Sequence, residues 1–100
     1  MDDIRRENLV FAARNRHHEP CGRPPGIETA SEAYCGYYEN EWGEQFVFVF
    51  DRPTGKALLY GGDIGWGSPV EVTDPQRTPV SLNENERLWL TACWRAATRQ

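Results

Sequence analysis

Residues 44–51 read EQFVFVFD, and where this stretch sits decides the fold. Side chains on a strand alternate between faces, so Phe46, Phe48 and Phe50 point one way and Val47 and Val49 the other. Both sets are apolar. The stretch therefore reads as the central strand of a sheet whose two faces must each be covered.

Its neighbours support that reading. YCGYYEN at residues 34–40 and KALLYG at residues 56–61 are further strand-like runs, set off by the spacers EWG and RPTG. The second spacer puts Pro53 and Gly55 where a tight turn favours them. Three short strands joined by short turns form an antiparallel meander over residues 34–61.

One cover lies at the C-terminal end. SLNENERLWLTACWRAATRQ offers Ser81 and Asn83 as helix caps, each followed three residues later by a glutamate, Glu84 or Glu86. Trp89, Leu90, Cys93, Trp94 and Ala97 then recur at helical spacing, with Arg87, Thr91, Arg95 and Thr98 opposite. A helix over residues 82–99 should pack this stripe on one face of the sheet. The other face calls for the N-terminal segment, the proline-rich loop or a second subunit.

Towards the N-terminus, Asp2 or Asp3 can cap a helix over residues 3–15, although NLVFA fits an edge strand equally well. Residues 16–33, RHHEPCGRPPGIETASEA, form a loop, because three prolines lack donors and two glycines allow positive φ. The fold expected is α+β in a single domain, residues 1–100: a three- to four-stranded antiparallel meander, a C-terminal helix on one face and a candidate N-terminal helix.

Composition narrows the function classes. With 39% hydrophobic residues and 12% aromatic ones, the chain has enough apolar material for one core. The longest apolar run, Phe46 to Phe50, falls far short of the roughly 20 residues that span a bilayer, so no membrane partner is expected. MDDIRRENLV places charge where a signal peptide would be apolar, which points to the cytoplasm, and three widely spaced cysteines fit thiols there. The formal charge of -4 is uneven: residues 28–51 hold six acids and no base, whereas residues 1–27 hold five arginines against four acids. A net acidic chain is a poor ligand for nucleic acid, whose affinity comes largely from displaced counterions.

GEQFVFVF, residues 43–50, resembles in part the aromatic strand on which RNA-recognition domains stack bases. That motif carries an aromatic where this chain has Glu44, and a basic residue where this chain has Trp42. A carboxylate repels a phosphate backbone, and the order of helices and strands differs. RNA is not an expected partner.

GGDIGWG, residues 61–67, follows the third strand and contains four glycines. It lacks the Gly-Lys-Ser/Thr ending of a phosphate loop and the spacing of a dinucleotide fingerprint, and it runs into SPVEVTDP, which is no helix. As a calcium loop it lacks the closing glutamate. It reads as a strand exit, with Asp63 bonding local N–H groups and Trp66 packing back on the core. As a ligand site it would use Asp63 and Trp66, with Tyr60 or Glu39.

His17, His18, Cys21 and Cys35 are donors of the type zinc prefers, but adjacent histidines rarely reach one ion and no CxxC pair is present. No metal and no cofactor is expected. A cysteine nucleophile served by His17 or His18 has no local motif behind it.

Glu39, Glu41 and Glu44 gather at the first hairpin. Paired-carboxylate catalysis needs two carboxyls facing across a cleft, and three on one turn read more simply as a charged tip. Trp42 stands among them. It is either an exposed anchor for a partner with basic residues around an apolar pocket, or a ring folded back on the sheet. The function expected is a non-enzymatic protein-interaction module, binding a protein partner or forming a homodimer. The alternative is a small-molecule-binding protein or small enzyme using the corner at residues 61–67.

Overall fold

A computed structural model describes residues 33–98. Four antiparallel strands follow one another in the sheet in chain order: β1 (Ala33–Glu39), β2 (Gln45–Asp51), β3 (Lys56–Gly61) and the short β4 (Val70–Glu71). A helix, α1 (Glu84–Thr98), closes the described chain. This is the α+β meander and C-terminal helix read from the sequence. The candidate N-terminal helix at residues 3–15 and the loop at residues 16–33, apart from Ala33, lie outside the described residues.

The register follows from the alternation in β2. Phe46, Phe48 and Phe50 pair with Tyr38, Gly36 and Tyr34 of β1, and with Gly61, Leu59 and Ala57 of β3. All project to the face that receives α1. Leu90, Cys93 and Ala97 of the helix are buried there with Phe48, Phe50, Ala57 and Leu59. Burying each large apolar side chain contributes about 1.5–3 kcal/mol, so this layer is a major source of stability.

Aromatic rings fix the helix on the sheet. Trp89 stacks on Tyr38 with centroids 5.6 Å apart, and Trp94 meets Phe50 edge-on at 6.2 Å. Between these contacts Gly36 leaves room for the helix. A Cβ there would collide with the Sγ of Cys93.

The opposite face carries Cys35, Val47, Val49, Leu58 and Tyr60, with Tyr37 and Trp66 against them. Val47, Val49 and Tyr60 are each 0% exposed in the single chain. The sequence leaves the N-terminal segment, the proline-rich loop or a second subunit as covers for this face, and its central side chains are buried within the single chain.

Two further features add to or correct the sequence reading. The proline-punctuated stretch after residue 67 contains β4, paired Leu58 to Glu71 and Leu59 to Val70, so the sheet has its fourth strand. Arg87, expected on the solvent side of the helix, is half-buried and donates to the carbonyls of Pro75, Thr78 and Val80 at 3.0–3.4 Å. Its forked guanidinium reaches three acceptors at once and holds the connection before α1 against the helix. Among the described residues no helix is long and apolar enough to cross a membrane.

Candidate functional site

The meander topology brings the β1–β2 turn, the exit of β3 and the start of α1 to one end of the sheet. Glu39 pairs with Gln45, Phe46 pairs with Gly61, and α1 begins at Glu84 above them.

Asn40 joins these parts. Its Oδ1 accepts from the backbone N–H groups of Trp42 and Glu44 at 3.0 and 2.9 Å. Its Nδ2 donates to Glu44 Oε1 at 2.8 Å and to Glu86 Oε2 at 3.1 Å. Both donors and both acceptor sites of the amide are used, which suits a side chain only 7% exposed. The turn itself closes with Asn40 N–H to Glu44 O and Gly43 N–H to Asn40 O, and Gly43 takes the positive φ the turn requires.

Glu86 is the helix end of the same network. Its Oε1 accepts from the Asn83 N–H at 3.0 Å, and Asn83 Oδ1 accepts from the Glu86 N–H at 2.7 Å. This is the reciprocal capping box that the Asn83–Glu86 spacing predicts. A carboxylate in the first turn is also favoured by the positive end of the helix dipole. The same group thus caps the helix and ties it to the hairpin.

Trp42 crowns the turn and is 70% exposed. Of the two readings open in the sequence, the structure selects the exposed ring. Glu39, Glu41 and Glu44 are exposed around it. Glu39 accepts from the hydroxyl of Tyr37 at 2.7 Å, and Gln45 Nε2 donates to that hydroxyl at 3.1 Å, so the rim is ordered on this side as well.

The glycine-rich corner packs close to β2. Gly61 and Gly62 both have positive φ, and a Cβ on either would run into Gln45 or the ring of Phe46. The backbone turns through a short 3-10 segment, Gly62–Ile64, closed by Gly61 N–H to Gly65 O at 2.9 Å. Backbone bonds close the loop in place of the expected bonds from Asp63, whose side chain is exposed. Trp66 does pack back, stacking on Tyr60 at 6.4 Å.

The expected ligand set of the corner is split by the sheet. Tyr60 is fully buried and Trp66 half-buried on the face away from α1, where they pack the core, and Glu39 lies on that same face. Asp63 and Glu44 instead line a cavity of about 270 Å³ on the helix side. Its walls are Phe46 of β2, Ile64 of the corner, Val70 of β4, and Val80 and Leu82 before α1, with Glu86 at the helix end. Asn40 and Glu86 were not among the residues singled out for a site. An asparagine ending a strand before a glycine turn, and the capping-box glutamate, are the signals that mark them.

Cys35, the one described member of the His17, His18, Cys21 and Cys35 set, is 4% exposed among Val47, Val49, Leu58 and Tyr60. Among the described residues no group of three His, Cys, Asp or Glu side chains is placed to hold a metal ion. No family model matches this chain, and no curated protein and no solved structure shows a significant match to it.

Proposed function

We propose that this chain is a protein-recognition module whose reading element is the β1–β2 hairpin. Trp42 enters an apolar pocket on a partner, and basic residues around that pocket meet Glu39, Glu41 and Glu44. The observation that carries this reading is the 70% exposure of Trp42 on a turn that Asn40 pins through four hydrogen bonds. A rigidly presented tryptophan loses little conformational freedom on binding and buries a large area, which is why such residues serve as interface anchors.

A second copy of the chain, meeting it through sheet faces or edges, is the other partner these features would suit; burial of Val47, Val49 and Tyr60 within one chain favours a different protein as the partner of Trp42.

A photo-crosslinking amino acid at position 41 of the full chain, beside an intact Trp42, would capture the partner. The affinity of that purified partner is then compared for wild type and Trp42→Ala. A loss of about 30-fold or more is expected of an interface anchor. Unchanged affinity would overturn the reading. The small-ligand alternative at residues 61–67 is favoured by one observation, the cavity that Asp63 lines.

A further inference from the structure

We infer that the cavity between the glycine-rich corner and the start of α1 receives the side chain of one arginine or lysine of the partner, beside the pocket that takes Trp42. This rests on the recognition reading above.

The shape favours a single long side chain. A volume of about 270 Å³ lies just below the range of roughly 300–1,000 Å³ usual for drug-sized ligands. The walls supplied by Phe46, Ile64 and Leu82 suit a methylene stem. Long basic side chains lay their stems on apolar surface and keep the charged head at a polar rim.

The charge fixes the sign of the head group. Three carboxylates, Glu44, Asp63 and Glu86, line the cavity, and none of the five described bases does. Arg52 lies over Tyr34, Arg77 pairs with Asp74, and Arg87 is held by three carbonyls. Lys56 stands at the far end of the sheet, beside Asp51, and Arg95 is in the last turn of α1.

Asn40 strengthens the case by holding two of the three acids. One amide nitrogen bonds both Glu44 and Glu86, so these carboxylates keep fixed positions in the lining. Glu86 has both oxygens engaged and faces the positive end of the helix, so its charge is partly answered. Glu44 and Asp63, both exposed, offer the remaining oxygens. A planar guanidinium can bond such oxygens in pairs, and an inorganic ion finds no converging set of ligands.

The test is a titration of the full chain, followed by amide NMR, with butylguanidinium as probe and butylurea as its neutral counterpart. Butylguanidinium should shift the amides of Asp63, Ile64, Ser68 and Leu82 with a Kd on the order of millimolar, as befits so small a ligand. Asp63→Asn should weaken it about threefold, and Asp63→Asn with Glu44→Gln about tenfold. Both acids are exposed, so the fold should persist. No localised shift, or equal shifts with butylurea, would overturn the cavity as a cation site.

A second arm identifies the source of the cation. A short peptide with one arginine between leucines should bind more tightly than butylguanidinium and lose affinity on Trp42→Ala, while butylguanidinium binding stays unchanged. If the peptide binds no more tightly than butylguanidinium, the occupant is a free organic cation and the side-chain assignment fails. If the peptide binds more tightly but ignores Trp42→Ala, the recognition reading fails while the cavity stands.

Discussion

Asn40 and Glu86, 46 positions apart in sequence, are joined by a hydrogen bond of 3.1 Å that ties the first hairpin to the cap of the only α-helix among the described residues. Each is buried, and each is also bonded within its own element. Neither could change without disturbing the other's partner.

Asn40→Ala should therefore destabilise the chain by about 2–3 kcal/mol, because it leaves two part-buried turn N–H groups and one oxygen of the buried Glu86 carboxylate without partners. Denaturant unfolding measures this as a lower midpoint. Asn83→Ala alone should cost about 1 kcal/mol, and the double variant should depart from additivity because both residues bond Glu86. Strict additivity would mean that the network does not act as a unit.

Gly36 and Cys93 form a second coupled pair, across the sheet–helix interface. Gly36→Ala should destabilise by about 1–3 kcal/mol, since the added methyl meets the Cys93 sulfur. Cys93→Ala removes that sulfur and should recover much of the loss. A double-mutant cycle by thermal unfolding checks the sign, and no recovery would place the strain elsewhere.

Arg87→Lys keeps the charge but loses the fork that spans three carbonyls. A loss of about 1–2 kcal/mol is expected, with faster amide exchange between residues 75 and 80. Exchange unchanged in that segment would show that Arg87 does not hold it.

Trp42→Ala should change stability by less than about 0.5 kcal/mol, because the ring touches little of its own fold. A clear stability loss would mean that the ring packs on the chain in solution, and its use as an anchor would then be in doubt.

Much of this fold was legible because its signals are local. The alternation of phenylalanine and valine in β2, the Pro53–Gly55 turn and the Asn83–Glu86 box each declare their geometry within a few residues. The fourth strand falls within the three to four expected, but its place at Val70–Glu71 was not legible, since two residues carry too little periodicity and their pairing with β3 is tertiary. Arg87 was misplaced for a related reason. Its spacing puts it opposite the apolar stripe, and only the folded path of residues 75–80 brings carbonyls to it.

The site was legible in pieces only. Trp42, Glu44 and Asp63 stood out as residues, but that Glu44 and Asp63 share one cavity while Tyr60 and Trp66 lie across the sheet depends on register. Alternation placed Val47 and Phe46 on different faces. It could not say which side the corner after β3 would turn to.

On the proposed recognition role, Trp42, exposed in the unbound chain, becomes buried on binding. Fluorine NMR of the fluorotryptophan-labelled full chain resolves its four tryptophans, and the shift of each between light and heavy water reports its exposure. Trp42 should show the largest solvent shift when unbound, and should lose most of it with the saturating purified partner, while Trp66, Trp89 and Trp94 keep theirs. A Trp42 resonance already protected in the unbound chain, or one still fully exposed with the partner bound, would contradict the recognition role.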